Sequence, residues 1–343
     1  MQDKKPNRRP TLLDVALSAG VSIASVSRVL NNIPPISKEL RSKVEESIGL
    51  LGYSTRKPSS SFQPSVVALS GDLQNTYFSK ILAGIMNQAD RDGYLVNVVI
   101  NERSPDFPAK FSRWIMHSHA KALILCTSTG LSDEELVRIR ELSNLSIIAI
   151  NRPLRAVGIP SIRIDYERAI ANAVRHVAKF NHSRIAFLNG SESAYSSNAK
   201  RVGIELTMQE LGLNIDKDLF VQCPATIEGG FEGMNNLLQM PKYKGPTAVI
   251  ASNDLMALGA MHAIKTKGFS IPEDISVVGF DDIDMAAHAN PPLTSISPPK
   301  FEMGERAMRL VMKQQINRKG SIDEYSIMES PLIVRESSGP CRL

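Results

Sequence analysis

From Ser65 onward the chain alternates short apolar runs with helical repeats, and that alternation leaves few folds open to it. SVVALSG (65–71) reads as a buried strand. Phe78, Ile81, Leu82, Ile85 and Ala89 then recur at the three-and-four spacing of one helix face. LVNVVIN, ALILC and SIIAIN repeat the strand pattern with helical segments between them. A second series starts at SIRID (161–165) and continues through a helix over 166–180, strand RIAFLNG, and a helix over about 196–212. Strand LFVQC, a helix over about 227–240, strand AVIASN, a helix over 254–268 and strand ISVVGFDD follow. Such alternation predicts parallel sheets with helices on both faces. Two series in tandem predict two similar lobes, completed by a helix near 300–316 and strands near 325–336 that cross back.

The stretch ahead of this body has a different texture. Thr11 reads as a helix N-cap, Asp14 suits the positive end of the helix dipole, and Leu12, Val15, Ala16 and Ala19 share one face. Gly20 ends that helix, because a residue without Cβ takes the left-handed conformation of a tight turn. Ser22 caps a second short helix whose Val26, Val29 and Leu30 point inward. Ser37 caps a third, striped by Leu40, Val44, Ile48 and Leu51. Two short helices joined by a glycine turn and braced by a third make a helix-turn-helix unit. Ile23, Ala24, Ser27 and Arg28 are left over on the outer face of the second helix. Arg28 could fork onto the acceptor edge of a guanine, and Ile23 and Ala24 could touch thymine methyls. An ordinary three-helix packing unit, with Ile23 in its core, is the other reading of the same pattern.

Charge separates the two regions. Residues 1–57 hold ten Lys/Arg and five Asp/Glu, a balance of +5, and the whole chain is also +5, so the body sums to zero. A basic head on a neutral body fits a polyanion partner for the head alone. Cys126, Cys223 and Cys341 are odd in number and far apart, without metal spacing, which suits a reduced cytoplasmic compartment. The basic N-terminus lacks the apolar stretch of a secretion signal, and no run is long enough to cross a membrane.

In open parallel sheets, ligands bind where strands end at their carboxyl edge. The residues that close the predicted strands are Asp72 and Asn75, then Asn101, Asn151, Asp165, Asn189, Asn253 and Asp281. A repeated Asn or Asp offers hydrogen bonds to a hydroxyl-rich ligand where apolar ends would leave it unpaired. The same residue types also cap the helices that follow, and Asp254, Asp281 and Asp282 suit that role too.

The head motif runs Thr11-Leu12-x-Asp14-Val15-Ala16-x-x-Ala19-Gly20-Val21-Ser22-x-x-Ser25-Val26-Ser27-Arg28-Val29-Leu30-Asn31, with Leu51-Gly52-Tyr53 downstream. It closely resembles the signature of the LacI/GalR family of bacterial transcription regulators. The likeness continues through AlaSerAsnAspLeuMetAlaLeuGlyAlaMet (251–261), IleSerValValGlyPheAspAsp (275–282) and ProProLeuThrSerIle (291–296). It implies an all-α helix-turn-helix DNA-binding domain followed by an α/β, two-lobed, periplasmic-binding-protein-like domain with parallel sheets. The divisions it implies are a headpiece over 1–53, a hinge over 54–64, and an effector-binding and dimerisation domain over 65–343. The lobe crossovers would lie near 162–166, 290–296 and 322–330. DNA contacts are implied for Thr11, Ser22, Ile23, Ala24, Ser25, Ser27, Arg28, Asn31 and Tyr53. In the hinge, Phe62 stands where the family has a leucine that wedges into the minor groove, while Pro58 and the serine run weaken the hinge helix. Around the effector the resemblance nominates Tyr77 and Phe78 as pocket walls, with Asn151, Arg152, Tyr195, Arg201, Asn253 and Asp281. Arg201 and Asp281 would grip adjacent hydroxyls.

Two departures narrow the ligand. ProAlaThr (224–226) replaces an aromatic that stacks on the ligand in several members, and Tyr195 stands where purine-responsive members have arginine. A sugar or sugar derivative is therefore expected rather than a purine. Partners implied are a pseudo-palindromic double-stranded operator, a carbohydrate-like effector and a second copy in a homodimer, with no membrane and no cofactor. An enzyme is not expected: the chain lacks a Gly-rich phosphate loop, an HExxH pair and a nucleophile elbow, and His117 and His119 sit two apart. A solute-binding protein would share the body but lack the basic head. A regulator without any small-molecule effector remains the nearest rival.

Overall fold

A computed structural model of the chain describes residues 10–30, 33–51, 53, 63–73, 75–101, 104–127, 130–192, 194–241, 245–316 and 324–342. Its contacts divide into two compact units, Met1–Phe62 and Gln63–Leu343. Asn31 and residues 54–62 of the hinge, Phe62 among them, lie outside the described residues.

The head has three helices, α1 (Leu12–Ala19), α2 (Ile23–Leu30) and α3 (Lys38–Leu51). A capping box opens α1: the Asp14 N–H donates to Thr11 Oγ1, and the Asp14 carboxylate accepts from the Thr11 N–H at 2.6 Å. Gly20 ends it with φ 65°. Ser22 Oγ accepts from the Ser25 N–H at 3.1 Å, and Ser37 Oγ from the Leu40 N–H at 3.1 Å. All three caps stand at the residues that sequence pattern selects. Val15, Ala16, Val26, Val29 and Val44 form the core, with Ala19, Leu30, Leu40, Ile48, Leu51 and Tyr53 packed on it. Leu12, expected on the inner face, is instead 36% exposed, because so small a core does not cover the first turn of α1.

The body contains two six-stranded sheets. Strands β1 (Ser65–Ser70), β2 (Leu95–Ile100), β3 (Ala122–Leu125), β4 (Ser146–Ile150) and β5 (Ser161–Ile164) build lobe 1, and β11 (Tyr325–Met328) joins its edge. The order is β11-β5-β4-β3-β1-β2, all parallel. Lobe 2 has β6 (Ile185–Asn189), β7 (Phe220–Gln222), β8 (Ala248–Ala251), β9 (Ser276–Phe280), β10 (Thr294–Ile296) and β12 (Leu332–Ile333). They run in the order β12-β10-β9-β8-β6-β7, parallel except for β12 against β10. The chain therefore passes between lobes three times: after β5, after β10 and between β11 and β12.

Helices α4 (Thr76–Arg91), α5 (Phe107–His117) and α6 (Asp133–Ser143) connect the lobe 1 strands. Helices α7 (Tyr166–Lys179), α8 (Tyr195–Glu210), α9 (Ile227–Leu238), α10 (Asp254–Thr266) and α11 (Asp284–His288) serve lobe 2. Helix α12 (Lys300–Ile316) leaves lobe 2 and packs on α4 and β4 of lobe 1. That packing is backbone to backbone. A Cβ on Gly304 would stand 2.1 Å from the Ile81 carbonyl oxygen, and one on Gly84 2.0 Å from that of Phe301. The contact fixes where Lys300, the first residue of α12, enters the space between lobes.

At the opposite end of lobe 2, the C-terminal segment is bonded to the sheet. Ser337 Oγ donates to the Val277 carbonyl at 2.6 Å. His182, 1% exposed, sits between Thr247 Oγ1 at 3.1 Å, Ser276 Oγ at 3.0 Å and the Gly339 carbonyl at 3.0 Å.

Candidate functional site

On the head, α2 turns Val26 and Val29 into the core and leaves Ser22, Ile23, Ala24 and Arg28 exposed. Ile23 is 48% exposed, which removes it from the core. Ser25 and Ser27 are half-buried at the edge of the row, with Ser25 Oγ 2.9 Å from Ser22 Oγ. Thr11 Oγ1 is engaged in capping, and Tyr53 packs against the core. The exposed row is short, carries a cation, and lies along the first two turns of a helix, the form that fits the major groove.

In the body, the carboxyl ends of the two sheets face a shared polar cluster. Asn75 caps α4, accepting from the Tyr77 N–H at 2.9 Å. Tyr77 is 7% exposed, and its phenol accepts from Asn151 Nδ2 at 2.5 Å. Asn151, directly after β4, adopts φ 60° and accepts the Ile164 N–H at 3.2 Å, so one amide ties β4, β5 and α4 together. Phe78 lies edge-on to Tyr77, ring centroids 5.3 Å apart. Tyr166, at the first crossover, packs against Phe280 of lobe 2 at 5.8 Å and against Tyr195 at 6.2 Å.

From lobe 2, Asp281 follows β9 with φ 108°, a conformation that costs a side-chain-bearing residue strain. Four groups hold the turn. Asp254, wholly buried, accepts from the Ile283 N–H at 2.8 Å and from Ser295 Oγ at 2.6 Å. Ser295 Oγ accepts the Asp282 N–H at 3.1 Å, and Arg335 donates to Asp282 at 2.7 Å. Lys300 donates to the carbonyl oxygens of Asp281 and Asp282.

Burial sets the protonation of this cluster. It pushes Asp281 up to about 6 against the pull of Lys200 and Lys300, and Asp254 up to about 8, with the charge of Asp281 adding to the rise. Lys200 is pushed down to about 8, again by burial, with Asp281 opposing. The Tyr77 and Tyr166 phenols are raised by burial and stay neutral.

Several nominated residues turn elsewhere. Arg201 is not the cation beside Asp281: its guanidinium donates to Glu205 at 2.8 Å and Asn198 at 3.0 Å along the outer side of α8. The preceding Lys200 holds that place, because Ser197, Lys200, Ile204 and Thr207 form the buried stripe of α8 and the next residue is rotated off it. Arg152 bonds Asp133 and the Leu131 carbonyl, bracing α6 within lobe 1. Asn253 caps α10 through the Met256 N–H at 2.8 Å, and its amide donates to Ala225 at 3.2 Å, within the ProAlaThr segment. Tyr195 accepts from Arg163 at 2.7 Å. Asp165 and Asn75 act as caps, as the alternative reading of strand-end residues anticipates. Tyr166, Lys200, Phe280, Lys300 and Arg163 were not among the nominated residues. A lysine on the apolar stripe of α8 was the one readable signal for any of them.

No single helix among the described residues is long and apolar enough to cross a membrane. Among those residues, no group of three or more His, Cys, Asp or Glu could hold a metal ion.

Known proteins match both regions. Residues 11–56 match the family described as bacterial regulatory proteins, lacI family, and residues 174–338 match the periplasmic binding protein-like domain. The HTH-type transcriptional repressor CytR of Escherichia coli (strain K12) is 31% identical, covering 98% of this chain and 99% of its own. Catabolite control protein A of Priestia megaterium is 30% identical over 94% of this chain and 96% of its own. The lac repressor dimer bound to operator and the anti-inducer ONPF superposes with TM-score 0.74 at 26% identity, over 97% of this chain and 100% of that one. The complex of transcriptional regulator CelR with cellobiose gives 0.71 at 26% identity, over 96% and 100%. With a relative this similar along its whole length, and with both of its parts matched, the chain belongs to the lacI family of bacterial regulatory proteins.

Proposed function

We propose that the protein is a sequence-specific DNA-binding transcription regulator acting as a repressor. Its homodimer binds a pseudo-palindromic operator, and a sugar or sugar derivative in the cleft modulates that binding. One observation carries the DNA reading: α2 buries Val26 and Val29 and exposes Ser22, Ile23, Ala24 and Arg28 on a head that holds the whole net charge of the chain. Arg28 reads a base edge, Ser22, Ser25 and Ser27 reach phosphate or base edges nearby, and Thr11 and Tyr53 contact the backbone. Relatives named as repressors, and a relative solved on its operator, support this reading.

For the cleft, Asp281 and Lys200 are the acceptor and donor for the effector, with Asn151 and Tyr77 from lobe 1 and Asn253 at the rim. Phe78 supports the wall behind Tyr77. A ligand touching both Tyr77 and Asp281 holds the lobes together, and that differential contact is the source of allostery. The cellobiose complex of a relative supports a carbohydrate. Selection of bound fragments from genomic DNA, followed by gel shift with and without a sugar panel, tests the proposal. Enrichment of fragments sharing no sequence would end it.

A regulator without an effector is the second reading. It is favoured by the contacts that Tyr77, Asn151, Tyr166 and Lys200 make with the protein's own groups within each lobe. Calorimetry with the panel separates the two.

A further inference from the structure

Lys200 is 5% exposed and forms no ion pair among the described residues. Its Nζ donates to the Ser252 carbonyl at 2.6 Å and lies 3.7 Å from the ring centroid of Phe280 and 5.1 Å from that of Tyr166. Among the described residues no carboxylate oxygen lies within 4.0 Å of it, and Asp281 acts on it only from farther away. Lys300, 9% exposed, donates among the described residues to the Asp281 and Asp282 backbone carbonyls and forms no ion pair there. Arg163, on β5 beside the same aromatic group, donates to the Tyr195 hydroxyl and has no ion pair among the described residues.

The carboxylates nearby are already committed. Asp282 is bonded to Arg335, and Asp254 to Ser295 and the Ile283 amide, its acidity suppressed by burial. Asp281 is the acid that acts most on both Lys200 and Lys300, with Asp254 weaker on each and Asp282 and Asp284 acting on Lys300, yet none of them forms an ion pair with either lysine. A buried charge without its counter-charge is strongly destabilising, and ring faces offset only part of that cost.

We infer that the effector is an acidic sugar derivative whose carboxylate or phosphate seats on Lys200, with Arg163 flanking, while Asp281 holds its hydroxyls. This rests on the cleft being the effector site. It goes further by fixing the charge of the ligand. An anion there supplies what the cluster lacks, through charge-assisted hydrogen bonds that a neutral sugar cannot make.

The test uses the full-length chain in calorimetry and thermal melting. Glucuronate, galacturonate and gluconate form the carboxylate arm, glucose 6-phosphate and galactose 6-phosphate the phosphate arm, and glucose, galactose and cellobiose the neutral arm. One acidic arm should bind at least tenfold tighter than its neutral parent, and Lys200→Met or Lys200→Gln should reduce that binding at least a hundredfold. Unliganded Lys200→Met should melt several degrees above the wild type, because the uncompensated charge is gone. Neutral sugars binding as well as their acids would overturn the inference and leave the cleft reading intact. A lower melting temperature for both variants would also overturn it, since the ammonium would then be compensated already. Binding by no member of any arm would remove the cleft reading together with the inference.

Discussion

The head and the body place their candidate residues on opposite sides of the same rule. In α2 the core takes Val26 and Val29, and the candidates are what the core leaves outside: Ile23, Ala24 and Arg28. In the body the candidates are what the core had to take in: Asp281 at 8% exposure, Asn151 at 7% and Lys200 at 5%. A surface site can change with little effect on stability. A buried polar site is coupled to stability, because each group needs a partner when the ligand is away.

The largest effect should come from the frame that sets the buried site. Gly304→Val drives a side chain into the backbone of α4 and should cost the body roughly 3 kcal/mol or more. Urea denaturation followed by the fluorescence of Trp114, the only tryptophan and a body residue, reads this directly. Asp281→Ala should then cost on the order of 2–5 kcal/mol of effector affinity and leave ligand-free operator affinity unchanged. An undiminished effector response would break the buried half of the comparison. Arg28→Ala should lose roughly 1–3 kcal/mol of operator specificity, read by competition against scrambled DNA, and retain weak salt-sensitive binding. Its melting temperature should not move.

The carboxyl ends of the lobe 2 strands and their opposite end should differ in pH response. Burial pushes His182 and His176 below their ordinary value, with the Gly339 carbonyl opposing at His182 and Lys179 adding at His176. The unfolded chain therefore binds protons more readily than the folded one, so their contribution is present above about pH 6.5 and is lost as pH falls below it. Melting between pH 5 and 7.5 should show a steeper acid-side loss in the wild type than in His182→Asn. Smallest of all, Arg201→Ala should alter effector affinity by less than about 1 kcal/mol, since its guanidinium is engaged in a half-exposed i+4 ion pair with Glu205 along its own helix. A large loss would return Arg201 to the site in place of Lys200.

The two regions also differ in what could be read from residue order. The head was legible because its determinants are local: Thr11 with Asp14, Gly20, and Ser22 with Ser25 lie within a few residues of each other. The strands were legible too, from apolar runs of fixed length. What residue order hid was the direction of individual side chains. Arg201 was nominated by the family resemblance of its segment, yet one step along a helix is a rotation of about 100°, and that places Lys200 inward. Arg152 stands at the expected strand end but pairs with Asp133 of its own lobe. Tyr166 opens a helix, and nothing local shows that its ring will meet Phe280, more than a hundred residues later. Asp254 looks like a helix-start residue, while its carboxylate holds Ser295 and the turn of Asp281. These are tertiary contacts, and no periodicity encodes them.

The central claim is that the head reads sequence through α2 while the body supplies control. Selection of bound duplexes from a random pool, with the full-length protein at physiological salt, tests it most directly. The account predicts enrichment of one motif with two inverted half-sites, and loss of that motif, though not of weak binding, with Arg28→Ala. Recovery of unrelated sequences by the wild type, or of the same motif by Arg28→Ala, would contradict it.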